Sequence, residues 1–113
     1  MKGDATTRLR GMLGFATRAG KVVFGAELVC SELKKGPARI RLALVSFGAS
    51  DGTKKKIRTK CEFYGVPQRE LPMTGEELGD LLGKSFAPAV IALTDEGFAK
   101  EISAALDSLS QDG

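Results

Sequence analysis

Few residues in this chain have the types and spacing that catalysis or metal binding requires. Neighbouring acids occur as Glu76-Glu77 and Asp95-Glu96, and the sequence contains no histidine. Without histidine, the commonest general base, the Ser–His and Cys–His nucleophile pairs and histidine metal sites are all excluded. Both acid pairs lie at predicted helix starts, where the positive end of the helix dipole stabilises a carboxylate. The acids therefore indicate helix capping, and Thr74 with Glu77 is predicted to form a capping box at the start of a helix. We expect no enzyme, no cofactor and no metal site.

Two further features resemble reactive sites but have simpler explanations. Residues 79–85, GDLLGKS, come close to a phosphate-binding loop. A true loop has four residues between its glycines and leads from a strand into a helix, whereas here there are three and the segment leaves a predicted helix. We therefore predict that Gly83 ends a helix and that Lys84 lies near its last carbonyls. Cys30 and Cys61 have no metal-binding or redox spacing and are predicted to be reduced core residues.

The charged residues are strongly segregated along the sequence. Residues 1–60 contain fourteen of the 17 lysines and arginines and four acids, a formal charge of +10. Residues 61–113 contain three such cations and ten acids, a formal charge of −7. Clustered cations gain affinity for a polyanion by releasing its counterions, whatever the net charge of the protein. The segregation therefore indicates RNA or DNA as a partner, or else a solvated charged surface.

The elements that must position these residues alternate between helix and strand. Apolar periodicity and turn residues predict helices at 4–18, 25–36, about 53–64, 74–82 and from Thr94 or Asp95 onward, and strands at 22–24, 41–47, 68–71 and 89–93. The alternation predicts an α/β fold with helices on both faces of a small, partly parallel four-stranded sheet. At 113 residues the chain is expected to be one domain (1–113), with a core at about 4–107 and a polar tail at 108–113. Neither a signal peptide nor a membrane span is expected.

The second predicted helix combines a polar face with an open N-terminal end. Gly25 at its start leaves backbone N–H groups accessible, and such an end attracts phosphates or base edges. An ordinary amphipathic helix is the alternative interpretation. Polar residues lie just upstream and on its outer side: Lys21, Glu27, Ser31, Lys34 and Lys35.

A run of three lysines, Lys54 to Lys56, begins the third predicted helix. Cations at a helix N-terminus oppose the helix dipole, so electrostatics within the protein do not explain the run. An external anion would explain it, and a role in solubility is equally compatible with it.

Several segments taken together resemble those of a known family: LGFATRAGKVVFG (13–25), the spacing from Gly25 to Gly36, TKKKI with CEFYGVP (61–67), ELG (77–79) with LGK (82–84), and AVIALTDEGFAK (89–100). On these segments, which span about residues 9–100, the chain resembles the YlxQ-type bacterial members of the kink-turn RNA-binding ribosomal protein superfamily, relatives of the archaeal large-subunit protein "L seven Ae". The resemblance implies a three-layer α-β-α sandwich with a four-stranded mixed sheet. It also implies binding to structured RNA, in relatives a sharply bent internal loop with sheared G·A pairs.

The resemblance also implies where the RNA would bind. In the superfamily the RNA rests on the N-terminus of the second helix, with a pattern like Gly-Ala-Asn-Glu followed three residues later by Lys. Gly25 and Ala26 match this pattern, and its Asn, Glu and Lys positions are occupied here by Glu27, Leu28 and Ser31. Glutamate only accepts hydrogen bonds, for example from guanine amino groups, and it repels phosphate. The departures therefore concern kink-turn specificity more than RNA binding itself.

A second contact surface of the family corresponds to the loop 84–88 before the last strand, where Phe86 could stack on a base or pack in the core. The sequence thus predicts a non-catalytic, cytoplasmic protein that binds structured RNA, either ribosomal or kink-turn-like. The alternative is a protein-interaction module on the same fold that has lost kink-turn recognition. The residues predicted to contact RNA are Lys21, Gly25, Glu27, Ser31, Lys34, Lys35, Lys54, Lys55, Lys56, Lys84 and Phe86.

Overall fold

The computed structural model describes the backbone of residues 2–112 and the side chains of residues 4–110. Within this range helices and strands alternate throughout. The elements are α1 (Lys2–Arg18), β1 (Val22–Phe24), α2 (Ala26–Leu33), β2 (Leu42–Phe47), α3 (Asp51–Tyr64), β3 (Gln68–Thr74), α4 (Gly75–Leu82), β4 (Val90–Leu93) and α5 (Glu96–Asp112).

The four strands form one mixed sheet in the order β1-β4-β2-β3. β4 is antiparallel to both of its neighbours, with Phe24 opposite Ile91 on one side and Val45 opposite Val90 on the other, while β2 and β3 are parallel. β1, β2 and β3 therefore run in one direction and β4 runs against them. This confirms the prediction of a small, partly parallel sheet.

Helices cover both faces of the sheet, and each face has its own apolar cluster. Val29 of α2 and Ile57 of α3 are buried in the cluster on one face. Leu13 of α1, Leu78 of α4 and Ile102 of α5 are buried in the cluster on the other. Each of these helices repeats apolar residues at spacings of three or four, which gives it a single buried stripe. The result is the predicted three-layer α-β-α sandwich.

Strand direction decides which helix ends lie together. The C-terminal ends of β1, β2 and β3 lie at one end of the sandwich, and α2, α3 and α4 begin there within a few residues of them. We call this the helix-start edge. β4 begins at the same edge because it runs the other way, so the loop that precedes it, residues 84–89, also lies there. α5 begins at the opposite edge.

The observed elements extend beyond some of the predicted boundaries. β3 continues past Leu71 to Thr74, since Pro72 is tolerated in an edge strand and Leu71 and Met73 alternate into the core. α5 continues to Asp112, so residues 108–112 of the expected polar tail are helical and Leu109 packs against the apolar cluster. The last residue of that expected tail, 113, lies outside the described range. Asp95, rather than Thr94, caps α5, with its carboxylate accepting from the Phe98 N–H at 3.0 Å.

Candidate nucleic-acid interface

The start of α2 is open. Gly25 joins β1 to α2 with φ 96° and ψ 146°, a backbone conformation that essentially only glycine adopts, and no side chain caps the helix. The Gly25 N–H donates to the Val90 carbonyl at 2.8 Å, which ties the helix start to β4. Val29 is the first residue whose N–H bonds back into the helix, to the Gly25 carbonyl at 3.0 Å. The N–H groups of the first turn are therefore directed at whatever lies beyond the helix end.

The other two helices that begin at the helix-start edge, α3 and α4, are capped by side chains. Ser50 caps α3, accepting from the Thr53 N–H at 3.1 Å. Thr74 and Glu77 form a reciprocal capping box on α4, as the sequence predicted. Hydrogen bonds from the Thr74 backbone N–H and side chain hold the pKa of the Glu77 carboxyl below its ordinary value. Of these three helices, only α2 lacks a side-chain cap.

The loop before β4 brings a cation and an aromatic ring to the helix-start edge. The Lys84 Nζ lies 4.5 Å from the centre of the Phe24 ring, a cation–π contact. The Phe86 ring meets the Phe24 ring edge-on, with 6.2 Å between ring centres. Phe86 is still 50% exposed. Phe24 immediately precedes Gly25, and its ring packs on the face of the sheet that α1, α4 and α5 cover. This aromatic–cation group therefore lies at the helix-start edge, across β1 from the start of α2.

Two glycines of α4 let this loop pack directly on the helix backbone. A Cβ at Gly79 would lie 2.3 Å from the Phe86 carbonyl oxygen, and one at Gly75 would lie 3.0 Å from the Pro88 carbonyl oxygen. Any larger residue at position 79 would push the loop away from the helix. Gly79 is thus a positioning residue for Phe86.

A shallow, open hollow of about 510 Å³ continues the helix-start edge from the loop toward α3. It lies between the starts of α3 and α4, and Phe47, Thr53, Gly75 and Ala87 are among the residues that line it. Phe47 is exposed there. Around the loop and this hollow the edge therefore presents a discontinuous row of apolar side chains and helix ends together with Lys84. Such a surface suits a ligand with both flat rings and charged groups.

Several of the predicted cations lie away from this edge. The Lys21 carbonyl accepts from the Thr94 N–H at 3.0 Å, at the opposite edge of the sheet where α5 begins. Lys34 and Lys35 follow the last residue of α2 and so lie a full helix length from Gly25. These three lysines and Gly25 do not form one patch.

Lys35 already has a partner in the protein. Its Nζ lies 2.8 Å from Glu32, and Arg39 Nε lies 2.7 Å from the same carboxylate. Hydrogen bonds from Lys35, which contributes more, and from Arg39 lower the pKa of the Glu32 carboxyl. This cluster joins the end of α2 to the segment that leads into β2.

The three lysines at the start of α3 point in different directions. Successive helical residues are about 100° apart, so Lys54 and Lys56 point about 160° away from each other. Lys54 pairs with Glu70 of β3 at 2.9 Å, whereas Lys55 and Lys56 are exposed. On α2, Glu27, Leu28 and Ser31 are exposed as well. The sequence thus identified the exposed cations but not their directions or partners.

The sequence did not indicate that Phe24 and Gly79 contribute to the candidate site. Phe24 falls inside a short apolar strand, and its contact with Phe86 crosses more than sixty positions of the sequence. Only the pairing of β1 with β4 brings the two rings together. Gly79 had two signals in the sequence: its place in the ELG segment and its position inside the amphipathic segment 75–82. Glycine costs about 1 kcal/mol in a helix interior and therefore needs a reason.

Gly83 and the two cysteines have the structural roles predicted for them, whereas the Lys84 side chain lies over the Phe24 ring. Gly83 ends α4 with φ 70°, the left-handed conformation of a helix C-cap. Cys30 and Cys61 are buried, and burial together with the nearby Cys30 raises the pKa of the Cys61 thiol to about 11. Among the described residues no group of three or more possible metal ligands occurs. In the same part of the chain, no helix has the length and apolar character to cross a membrane.

Comparison with known proteins connects this geometry to a family. Residues 7–103 match the ribosomal protein L7Ae/L30e/S12e/Gadd45 family. The chain is 42% identical over 96 residues to the RNA-binding protein YlxQ of Bacillus subtilis, covering 85% of this chain and 92% of that protein. It is 34% identical over 90 residues to the large ribosomal subunit protein eL30 of Sulfolobus acidocaldarius, covering 80% and 85%.

A solved structure agrees with these matches. It is that of a Bacillus halodurans protein of unknown function, with a TM-score of 0.80 at 30% identity, over 88% of this chain and 97% of that one. The sequence matches and this shared fold confirm the predicted resemblance. The chain belongs to the ribosomal protein L7Ae/L30e/S12e/Gadd45 family.

Proposed function

We propose that this protein binds structured RNA, ribosomal or kink-turn-like, at the helix-start edge. The observation that carries the proposal is the presence of the uncapped start of α2, Lys84 and the half-exposed Phe86 at the same edge. Its support is membership of a ribosomal protein family and similarity to proteins named as RNA-binding and as ribosomal. The L7Ae/L30e family is non-catalytic, in agreement with the missing histidine.

Each group at this edge has a chemical role suited to RNA. The first-turn N–H groups of α2 donate to phosphate or base oxygens, strengthened by the helix dipole. The Glu27 carboxylate accepts from a guanine amino group. Phe86 stacks on an unpaired base, and its edge-on contact with Phe24 holds its ring in place. Lys84, whose ammonium group lies over the Phe24 ring, neutralises a phosphate nearby.

Replacing Phe86 tests the proposal. Phe86→Ala removes a base-stacking surface worth about 1–3 kcal/mol, so affinity for the RNA should fall by about fivefold or more. The matched control is Phe15→Ala on α1, because Phe15 is also 50% exposed and in contact with a cation, Arg18. Mobility shift and calorimetry with one folded RNA would measure both variants against the unaltered protein.

The choice of RNA separates the alternatives. A sharply bent internal loop with sheared G·A pairs is compared with the same RNA in which those pairs are replaced by Watson–Crick pairs. Preference for the bent loop supports kink-turn-like recognition, and equal binding supports another structured RNA. Failure to bind any RNA at low salt would contradict the proposal and favour a protein-interaction module on this fold.

We further propose that the protein acts in the cytoplasm in association with ribosomes. The support is again the ribosomal family and the eL30 similarity. Sedimentation of a cell lysate through a sucrose gradient tests this, since an associated protein travels with a ribosomal subunit. A protein that stays at the top of the gradient at low salt would contradict ribosome association and leave RNA binding intact.

A further inference from the structure

The outer face of α3 carries a regular stripe of two lysines and an aromatic ring. Lys56, Lys60 and Phe63 follow one another at spacings of four and three, so they lie on one side of the helix. Ile57 and Cys61 occupy the buried side. Phe63 is 79% exposed, more than any other large apolar residue in the described part of the chain.

The stripe lies on the side of α3 that faces α2. Lys54 marks the other side, because it pairs with Glu70 of the edge strand β3. Rotation by about 100° per residue places Lys56, Lys60 and Phe63 across the buried Ile57 from Lys54. The stripe therefore borders the junction between α2 and α3, which pack together in one layer.

α2 contributes a further lysine at the same junction. Cys30 of α2 and Cys61 of α3 belong to one buried cluster, so Cys30 marks the side of α2 that faces α3. Lys34 follows Cys30 by four residues and is exposed on that side. Glu27 lies on the same side of α2, almost two turns before Lys34. We call Lys34, Lys56, Lys60 and Phe63 the lysine–phenylalanine stripe.

The fold gives no internal reason for this stripe. Within the described residues, Lys34, Lys56 and Lys60 form no ion pair. Lys56 lies in the N-terminal half of its helix, where the dipole disfavours a cation. Phe63 contacts Tyr64 edge-on at 4.9 Å between ring centres but leaves most of its own ring in water. Unpaired cations beside an exposed ring are the composition of surfaces that track a single-stranded polyanion.

We propose that the lysine–phenylalanine stripe binds an unpaired RNA strand that leaves the folded RNA held at the helix-start edge. This inference rests on the proposed function. α2 and α3 both begin at that edge and run away from it, so the stripe continues outward from the first contact. The lysines meet successive phosphates, and Phe63 stacks on a base at the far end. The RNA is then held on two surfaces, and the strand flanking the folded element contributes to its selection.

Two forms of one RNA test the stripe. The first is a minimal folded RNA bound through the helix-start edge, and the second carries in addition a single-stranded tail of about eight nucleotides, within the range that such surfaces cover. The unaltered protein should bind the tailed form about tenfold more tightly. The combined variant Lys34→Gln, Lys56→Gln, Lys60→Gln should lose that gain, and its salt slope for the tailed form should fall by about 2. Phe63→Ala should lose part of the gain.

The control variant changes the same number of charges on the other layer. Arg10→Gln, Arg18→Gln, Lys100→Gln on α1 and α5 should keep the gain from the tail. Both triple variants should bind the minimal RNA as the unaltered protein does, apart from a small effect of net charge. Thermal unfolding confirms that each variant is folded.

The outcomes separate this inference from the proposed function. No gain from the tail in the unaltered protein, with the minimal RNA still bound, overturns the stripe as an RNA contact and leaves it to a protein partner. The same gain from a double-stranded extension overturns the assignment to an unpaired strand. Failure to bind either RNA overturns both proposals.

Discussion

α2 and α4 begin at the same edge of the sheet, but their first turns differ in one respect. α4 is capped twice by its own residues, with Thr74 accepting from the Glu77 N–H at 3.1 Å and Glu77 accepting from the Thr74 N–H at 2.9 Å. α2 begins at a glycine that offers no side chain and adopts a conformation closed to other residues. α4 therefore satisfies its own helix end, whereas α2 leaves its end for another molecule.

At the helix-start edge, the capped start of α4 thus contributes to folding stability, and the uncapped start of α2 is available for ligand recognition. A capped start contributes to the stability of the folded state at all times, while an uncapped start leaves its N–H groups to water until a ligand replaces it. α4 also supports the loop that completes the open site, since its glycines accept the loop backbone at close range. We expect changes to the α4 cap to affect stability alone, and changes where α4 meets the loop to affect both.

The largest effect is expected from Gly79→Ala. The new Cβ would lie 2.3 Å from the Phe86 carbonyl oxygen, so either the loop or α4 must move. Overpacking of this kind costs about 1–3 kcal/mol of unfolding free energy. Displacement of Phe86 and Lys84 should also weaken RNA binding by about tenfold, the loss of one stacked base. Urea unfolding and RNA titration of the same sample measure the two effects.

Gly11→Ala on α1 is the matched control. A Cβ at Gly11 meets nothing within 4 Å, so the substitution only improves helix propensity. It should raise the unfolding free energy by up to about 1 kcal/mol and leave RNA affinity unchanged. If Gly79→Ala loses stability yet binds RNA like the unaltered protein, α4 does not position the loop for recognition.

The starts of α2 and α4 also differ in how much of each could be predicted from the sequence. The α4 capping box was predicted because Thr74 and Glu77 are three residues apart and their interaction is local. The layers and the helix and strand order were predicted for the same reason, from periodicity within short windows. Gly25 was recognised as an open helix start, although its conformation was not.

The surroundings of Gly25 could not be predicted locally. Phe24, Lys84 and Phe86 meet only because β1 pairs with β4, whose register no short segment encodes. Likewise, Lys54 is paired with Glu70 through the packing of α3 on β3, so a run of lysines that looks uniform in the sequence differs residue by residue. Charge composition located the cations, and strand order decided which of them lie together.

An intermediate effect is expected from Thr74→Ala at the capped start. Loss of an N-cap side chain costs about 1 kcal/mol of unfolding free energy. RNA affinity should remain within about twofold, because the first turn of α2 and its neighbouring loop keep their contacts. Ser50→Ala at the α3 cap should behave in the same way and serves as an independent comparison. A substantial loss of RNA affinity in Thr74→Ala with the fold intact would mean that the capped and open starts act as one site.

The smallest effect concerns the response of the capped start to acid. The pKa of Glu77 is lower in the folded protein than in the unfolded chain, because the ionised carboxylate accepts from the Thr74 backbone N–H. The resulting stability is complete above the unfolded pKa, about 4.3, and is lost as the pH falls through the lowered folded value. Glu77→Gln keeps a hydrogen-bond acceptor at the capping position without a titrating charge. Its unfolding free energy should therefore decline less steeply below about pH 4 than that of the unaltered protein.

The acid response of Glu32, near the C-terminal end of α2, can be compared with that of Glu77. Its carboxyl also has a lowered pKa, through Lys35 and Arg39, so it contributes stability over the same acidic range. Glu77→Gln should remove one part of the acid dependence, and Glu32→Gln with Glu77→Gln should remove more, because the two carboxylates lie on different helices and act independently. The start of α2 has no capping carboxylate to titrate, and its RNA affinity at neutral pH should be the same in all three proteins. Urea unfolding between about pH 3 and pH 7 measures these slopes, and identical slopes in all three would show that neither carboxylate is held more tightly in the folded state than in the unfolded chain.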